Sequence, residues 1–393
     1  MLHPCGMNRR TFLAGLGTLT AASVVGCSSN ETDNILADTA MLKEIQAREF
    51  PASQTRSLHE RAKDKGLFFG AFTDYRTFRK DPKIREAFKR DCGLVVGGVF
   101  WHITRPEAEQ FDWSMPDVFF NFAQENNMMF RGHPLVWHKL YPKWMRAKLD
   151  DPTTSRKDIE DLLEKHISTV VGHYAGKAHS WDVVNEAIKP ENGRPDGLRS
   201  TPWLRYLGPD YIDFAFRVAA QADPKAMLVL NDYGVEYRDS HEERRRTSLL
   251  KLLEQLKAKG TPIQGLGVQA HLTGNRSRAA FKPLRKFLSN VADLGLKIII
   301  TELDVQDKRL PANRDFRDRL IASAYSDFLG IALDEKAVIG VITWGLSDRY
   351  TWLTDYAPRS DQLPLRPLPL DDQMQRKFAW NAIARAFDEA PSR

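Results

Sequence analysis

Short runs rich in β-branched and aromatic residues recur along the chain, and the spacing leaves room for a helix between them. Eight runs are present, at residues 67–72, 94–100, 129–136, 179–184, 227–230, 263–268, 297–300 and 338–343. Apolar residues at three- and four-residue spacing predict helices in several of the intervening segments, at residues 158–171, 211–221 and 244–259, and a last one at 375–387. Strand and helix alternating to a count of eight predict an α/β fold, a single-domain (β/α)8 TIM barrel.

The first 26 residues have the pattern of an export signal. An arginine pair at residues 9–10 precedes an apolar stretch that ends at Cys27 and is too short for a stable transmembrane helix. The pair resembles a twin-arginine signal, and the end of the stretch resembles a lipobox in which Cys27 is lipidated. We predict a signal peptide over residues 1–26, a tether over 27–56 and the barrel over 57–388.

This signal predicts an exported protein, periplasmic or at the cell surface, lipid-anchored to a bacterial membrane. An ordinary cleaved signal with an incidental cysteine is the alternative. Of the three cysteines, Cys5 lies in the predicted signal and Cys27 at its edge, so Cys92 is the single cysteine of the predicted barrel. No disulfide within the domain is therefore expected, and Cys92 is expected to be a buried small residue rather than a nucleophile.

Composition fits one large enzyme-sized domain. The chain has 393 residues, of which 42% are hydrophobic and 27% charged. Its net charge of +6 comes from 57 basic and 51 acidic residues that are interleaved along the sequence, so nucleic acid is not an expected partner. Nine tryptophans are present, and indole rings either stack on the C–H faces of sugars or fill a core.

Two glutamates stand where β-rich runs end. Glu186 closes the segment WDVVNE at residues 181–186, and Glu302 follows the run at 298–301. A barrel presents its catalytic side chains at these strand ends. Two carboxyls about 5–5.5 Å apart can cleave a glycosidic bond with retention, one protonating the leaving oxygen and the other attacking the sugar carbon. Apolar neighbours such as Trp181 are expected to keep a proton on Glu186.

Six motifs in order resemble glycoside hydrolase family 10, the family of endo-β-1,4-xylanases. They are RGHPLVWH, WDVVNE, NDY, QAHL, TELD and TWGLSD, which begin at residues 131, 181, 231, 269, 301 and 343. The resemblance covers residues 65–386. It implies a retaining glycoside hydrolase that cleaves β-1,4-linked polysaccharide, most of all xylan, with Glu186 as general acid/base and Glu302 as nucleophile.

The resemblance also assigns supporting and sugar-binding residues. It implies that His271 hydrogen-bonds Glu302 and that Asp304 orients His271. Further residues expected to bind substrate are His133, Trp137, Asn185, Tyr233, Gln269, Trp344 and Trp352. No cofactor is implied, and no metal, because His133 and His138 lack the spacing of a zinc site.

One segment departs from the family. Where the family usually carries TPENEMKW, this chain has LVVGGVFW at residues 94–101, so that Val96, Gly97 and Phe100 replace Glu, Asn and Lys. Losing these polar groups makes the specificity for plain xylan uncertain, and the two glycines predict room for a bulkier sugar. Two alternatives therefore stay open. One is the same mechanism on another β-1,4-glycan, either a glucan or a bacterial exopolysaccharide. The other is a non-catalytic carbohydrate-binding protein, disfavoured because both glutamates are present.

Overall fold

Residues 39–393 are described by the structure, a computed structural model. The predicted signal peptide, Cys27 and the first part of the predicted tether lie outside the described residues. Within residues 39–393, nine parallel strands form the sheet: β1 Phe68–Phe72, β2 Leu94–Gly98, β3 Met129–His133, β4 Ser180–Asn185, β5 Met227–Asp232, β6 Gly265–Val268, β7 His271–Thr273, β8 Lys297–Gln306 and β9 Val338–Thr343. All but β7 are joined in a closed ring, in which β6 pairs with β8 and β9 pairs with β1. The predicted eight-stranded TIM barrel is confirmed.

The short strand β7 continues β6 after a break at Gln269 and Ala270. Ala270 has a φ of 59°, a left-handed conformation that interrupts the strand. Before the break Val268 pairs with Ile300, and after it His271 pairs with Asp304. The break thus places His271 beside Asp304 on the long strand β8.

Helices surround the barrel. Those of the described residues are α1 Thr39–Ala47, α2 Leu58–Asp64, α3 Tyr75–Lys80, α4 Pro82–Asp91, α5 Trp101–Thr104, α6 Pro116–Glu125, α7 Lys143–Asp150, α8 Arg156–His173, α9 Pro202–Leu207, α10 Tyr211–Ala222, α11 Ser240–Ala258, α12 Lys282–Asp293, α13 Arg314–Ala332, α14 Leu353–Tyr356 and α15 Phe378–Glu389, with 3-10 turns at Pro190–Asn192, Arg278–Phe281 and Asp348–Tyr350. The predicted helix at 158–171 begins earlier because Ser155 and Asp158 form a capping box. None of the helices in this part of the chain has the length and apolar character needed to cross a membrane.

Two apolar layers hold the barrel. Its interior is filled by a small cluster of side chains, namely Phe68, Leu94, Val96, Val229, Ile299 and Ile342. A larger layer lies between strands and helices and includes Cys92. Cys92 is buried, as predicted, and burial raises the pKa of its thiol well above the ordinary value.

The folded body begins before residue 57. Ile45 and Phe50 are buried against the barrel, and the Arg48 guanidinium lies 2.9 Å from the Asp327 carboxylate of α13. The Asn381 side chain of α15 donates a hydrogen bond of 2.9 Å to the Phe50 carbonyl. The end of the segment expected to be a tether therefore packs on the domain, because it carries apolar residues that gain by burial.

Candidate active site

A cavity of about 490 Å³ opens at the carboxyl end of the strands. Glu186 and Glu302 both line it, and so does every residue that the sequence assigned to a supporting or sugar-binding role, namely His133, Trp137, Asn185, Tyr233, Gln269, His271, Asp304, Trp344 and Trp352. The cavity also has lining residues that the sequence did not single out as binding residues: Phe72, Phe100, Lys139, Leu140, Leu272, Thr273, Gln306, Leu353 and Tyr356. The structure therefore brings the predicted set together in one place.

Glu302 sits in a chain of hydrogen bonds. Asn231 Nδ2 donates to Glu302 Oε1 at 2.7 Å, and His271 Nε2 donates to Glu302 Oε2 at 3.2 Å. His271 Nδ1 donates to Asp304 Oδ1 at 3.0 Å, and Trp352 Nε1 donates to Asp304 Oδ2 at 2.7 Å. Both oxygens of Glu302 thus accept from side chains that are themselves fixed.

These contacts keep Glu302 ionised. Burial alone would raise the pKa of its carboxyl, but the hydrogen bond from His271, the nearby charge of His133 and the hydrogen bond from Asn231 together hold the pKa below the ordinary value. Burial likewise opposes a charge on His271, yet Asp304 and Glu302 raise the pKa of that imidazole well above its ordinary value. A cationic His271 between two carboxylates follows.

Glu186 is held differently. Its φ of 59° lies in the left-handed region, which costs a non-glycine residue roughly 1–3 kcal/mol and recurs at functional sites. The backbone is fixed there because Glu186 N donates to the Asn231 carbonyl at 2.8 Å and Arg199 Nε donates to the Glu186 carbonyl at 2.6 Å. At the carboxyl, Oε2 lies 3.5 Å from Arg199 Nη2 and 3.8 Å from His138 Nε2.

The position of Trp181 differs from the one expected, beside the Glu186 carboxyl. Trp181 faces the helix layer, where its ring centroid lies 5.9 Å from that of Tyr174, so it does not line the cavity. Two polar groups, the Arg199 guanidinium and the His138 imidazole, lie within 4 Å of the Glu186 carboxyl. Burial and the positive charge of Arg199 lower the pKa of His138 to about 3, so His138 is neutral beside Glu186. Strand alternation puts Trp181 on the outer face of β4.

Asn231 links the two glutamates, a role that the sequence did not reveal. Its Nδ2 donates both to Glu302 Oε1 and, at 2.9 Å, to Asn185 Oδ1, while Asn185 Nδ2 lies 3.4 Å from Glu186 Oε1. Thr301 Oγ1 donates to Asn231 Oδ1 at 2.7 Å and fixes the amide orientation. In the sequence, the NDY motif was the one feature that could have pointed to Asn231. The Asn231 side chain fits there because the neighbouring residue is Gly267, where a Cβ would lie 2.2 Å from Asn231 Oδ1.

His133 is oriented from below by a buried ion pair. Its Nδ1 lies 2.8 Å from Asp182 Oδ2, and the other oxygen of Asp182 accepts from Arg131. Arg131 Nη1 also donates to Ser180 Oγ at 2.8 Å. This arrangement occupies Nδ1 and leaves Nε2 as the ring nitrogen available to a bound sugar.

The room predicted at the two glycines is absent. A Cβ on Gly97 would lie 2.4 Å from the Phe130 ring, and a Cβ on Gly98 would lie 2.8 Å from the Phe100 ring. Val96 points into the barrel interior. The space beside both glycines is thus filled by aromatic rings, and of the three replaced positions Phe100 lines the cavity.

Comparison with known proteins identifies the family of the chain. Residues 57–386 match glycosyl hydrolase family 10. The chain is 33% identical to endo-1,4-beta-xylanase C of Paenibacillus barcinonensis, over 77% of this chain and 29% of the relative, and 37% identical to endo-1,4-beta-xylanase A of Caldicellulosiruptor sp. (strain Rt8B.4), over 71% and 41%. It thus spans less than half the length of these two relatives. The chain belongs to glycosyl hydrolase family 10.

Solved structures agree with this assignment. The crystal structure of xylanase 10B from Thermotoga petrophila RKU-1 in complex with xylobiose superposes with a TM-score of 0.75 at 29% identity, over 86% of this chain and 99% of that one. Native xylanase 10B from Thermotoga maritima gives 0.73 at 29% identity, over 85% and 98%. The barrel is therefore shared along almost the full length of both neighbours.

Proposed function

We propose that this protein is a retaining glycoside hydrolase of the endo-β-1,4-xylanase type, with Glu302 as nucleophile and Glu186 as general acid/base. The observation that carries the proposal is the buried Glu302, kept anionic by His271 and Asn231 in the same cavity as Glu186. An anionic carboxylate suits nucleophilic attack. Relatives and neighbours named as xylanases support the substrate class.

The first chemical step forms a covalent intermediate. The Glu302 carboxylate attacks the anomeric carbon, the bond from that carbon to the glycosidic oxygen breaks, and Glu186 gives its proton to the departing oxygen. In the second step Glu186 takes a proton from water, the water oxygen bonds to the anomeric carbon, and the Glu302 carboxylate leaves. Two inversions at one carbon retain the configuration.

The amide network supports both steps in this proposal. Asn185 lies beside Glu186, with Oδ1 accepting from Asn231 at 2.9 Å and from Gln269 at 3.2 Å. Its Nδ2 is then directed toward the cavity side of Glu186, where a sugar 2-hydroxyl would be met. A hydrogen bond there would strengthen as the sugar ring flattens in the transition state.

Export and anchoring belong to the same proposal. The arginine pair at residues 9–10 and Cys27 in its lipobox-like context support a lipid-anchored periplasmic or cell-surface enzyme. A Cys27→Ala variant should lose incorporation of a labelled fatty acid in cells while a Cys92→Ala variant keeps it. Equal labelling of the Cys27→Ala variant would contradict the anchor.

A second substrate class, another β-1,4-glycan such as a glucan or exopolysaccharide, is favoured by one observation. Phe100, which replaces a polar family residue, lines the cavity and offers no hydrogen bond to a sugar hydroxyl. A purely carbohydrate-binding role is disfavoured because the hydrogen-bond chain to Glu302 serves catalysis rather than binding.

One experiment separates these functions. Release of reducing sugar is measured from β-1,4-xylan, β-1,4-glucan and bacterial exopolysaccharide for the wild type, for Glu302→Ala, and for Glu125→Ala as an exposed control. Digestion of xylan by the wild type and the control, but not by Glu302→Ala, is expected. Binding without turnover in all three proteins would contradict an enzyme.

A further inference from the structure

The lining of the cavity is divided between a polar and an aromatic side. Strands β3 to β8 and their loops supply its charged and amide side chains. Strands β1 and β9, their loops and the loop after β2 supply a different set: Phe72, Phe100, Trp344, Trp352, Leu353 and Tyr356. Within the described part of the chain, this second set contributes no charged and no amide group to the lining. We call Phe72, Phe100 and Trp344 the aromatic wall.

The aromatic wall forms a corner around His133. The rings of Phe72 and Trp344 stack with centroids 4.1 Å apart at 11°, so Phe72 covers one face of the indole. The Trp344 ring stands at 72° to the His133 ring, and the Phe100 ring stands at 82° to it. Trp344 and Phe100 thus both stand steeply to the imidazole and offer apolar ring surface beside it, which suits a compact apolar group.

Residues of β2 support the Phe100 ring from the side of the barrel interior. Gly98 lacks the Cβ that would lie 2.8 Å from Phe100 Cε2, and Val96 is buried in the barrel interior beneath. Phe100 also lies 6.0 Å from the Trp137 ring, measured between centroids. The ring is therefore supported on the side of the barrel interior and forms part of the cavity surface.

The topology places the aromatic wall opposite the leaving-group side. In the ring of eight strands, β1 lies across the barrel from β5. Tyr233 follows β5 and its hydroxyl accepts from Arg199 at 3.0 Å, and Arg199 in turn contacts Glu186. Since Glu186 protonates the leaving oxygen in the proposed function, the wall faces the glycone part of the substrate.

We propose that the aromatic wall binds a methyl-bearing substituent on a glycone sugar, either an O-acetyl ester or the methyl group of a 6-deoxy sugar. This inference rests on the proposed function. His133 Nε2 can bind one sugar hydroxyl, but a further hydroxyl pressed against the carbon surfaces of the Phe72, Phe100 and Trp344 rings would lose its water without gaining a protein partner, which is unfavourable. A methyl group there gains by burial against three rings.

The test compares matched substrates on the full-length protein. One pair is acetylated xylo-oligosaccharides and the same material after mild alkali, which removes the esters. The other pair is aryl β-glycosides of 6-deoxyglucose and of glucose. Values of kcat/KM are measured for the wild type, Phe100→Lys, Phe100→Leu and Phe111→Lys, the last being a partly buried aromatic outside the cavity.

The wild type should prefer the methyl-bearing member of one pair by about tenfold. Phe100→Leu and Phe111→Lys should keep that preference, and Phe100→Lys should lose it. The pair that responds identifies the ester or the deoxy sugar.

Turnover of both members of both pairs at equal rates by the wild type would overturn this inference while leaving the proposed function intact. Failure of the wild type to hydrolyse any of the four substrates would instead contradict the proposed function. Loss of the preference in Phe111→Lys as well as in Phe100→Lys would also count against the aromatic wall. Thermal unfolding of each variant checks that it is folded, and the wild-type and Phe100→Leu results decide the matter if Phe100→Lys is not.

Discussion

The polar and aromatic sides of the cavity differ in how their side chains are held. On the polar side Glu302 accepts two hydrogen bonds, and Asn231 reaches toward Glu186 through Asn185, so residues of β4, β5, β7 and β8 are coupled. On the aromatic side the Phe72 and Trp344 rings stack on each other, and the Phe100 ring occupies the space that Gly98 leaves free. The reacting groups lie on the polar side and the proposed site for a methyl-bearing substituent lies on the aromatic side, so substitutions on the two sides should separate turnover from this specificity.

The largest effect is expected from removing either glutamate. Glu302→Ala and Glu186→Ala should each lower kcat on an aryl β-xylobioside on the order of 10⁴-fold, because one whole step loses its reacting group. Added azide should rescue both, but with different products. It replaces the nucleophile in Glu302→Ala and gives an α-glycosyl azide, whereas in Glu186→Ala it attacks the covalent intermediate and gives the β-azide.

The configuration of each azide is read by NMR, and Glu125→Ala serves as the unaffected control. The β-azide from Glu302→Ala and the α-azide from Glu186→Ala would show that the two roles are assigned the wrong way round.

The next largest effect is expected from Asp304→Asn. Without that carboxylate the pKa of His271 falls, so the hydrogen bond to Glu302 loses its charge and the lowered pKa of Glu302 rises. The acid limb of the kcat/KM profile should move to higher pH. At acidic pH kcat/KM should fall about ten- to a hundredfold, the worth of a hydrogen bond to a charged group.

The lowered pKa of Glu302 also makes the stability of the fold depend on pH. A lowered folded-state pKa of Glu302 stabilises the fold above its unfolded value of about 4.3, and this contribution disappears as pH falls through the folded value. Asp304→Asn should therefore reduce the pH dependence of Tm in acid. Asp355→Asn, at an exposed site in α14, is the control. An unchanged acid limb in Asp304→Asn would refute the coupling.

A smaller effect, and of another kind, is expected from Phe72→Ala. Losing a stacked aromatic partner is worth about 0.5–1.5 kcal/mol, and Phe72 does not contact either glutamate through a hydrogen bond. KM for oligosaccharides should rise several-fold while kcat stays nearly constant. Steady-state kinetics on xylotetraose measures both. A fall in kcat as large as the rise in KM would contradict the separation between the two sides.

The smallest effect is expected from Gly98→Ala. The new Cβ would meet the end of the Phe100 ring, which can turn away at little cost to the fold. The free energy of unfolding should change by about 1 kcal/mol or less, while the preference between acetylated and deacetylated oligosaccharides changes. Gly172→Ala, in α8 with open space around it, is the matched control and should leave that preference unchanged. No change in preference in Gly98→Ala would separate Phe100 from recognition.

Much of the fold could be predicted because its signals are local. β-rich runs, helix periodicity and two glutamates at strand ends follow from spacing, and Glu186 and Glu302 do meet in one cavity. Helix starts were less accurate, since a capping box such as Ser155 with Asp158 adds residues that carry no apolar periodicity.

Other features depend on contacts between distant segments. The left-handed backbone at Glu186 and Ala270 is fixed by partners such as Arg199 and Asn231, which no local pattern indicates. The side of β4 that Trp181 faces follows from its register in the closed barrel. The glycines at 97 and 98 suggested open space because the rings that fill it could not be located from sequence.

The central claim is tested most directly by the anomeric configuration of the first product. Proton NMR is recorded within seconds to minutes of mixing wild-type protein with a β-1,4-xylo-oligosaccharide, before mutarotation equilibrates the anomers. The β-anomer should appear first and the α-anomer only later, because Glu302 and Glu186 carry out two successive inversions. Initial formation of the α-anomer would contradict a covalent intermediate on Glu302.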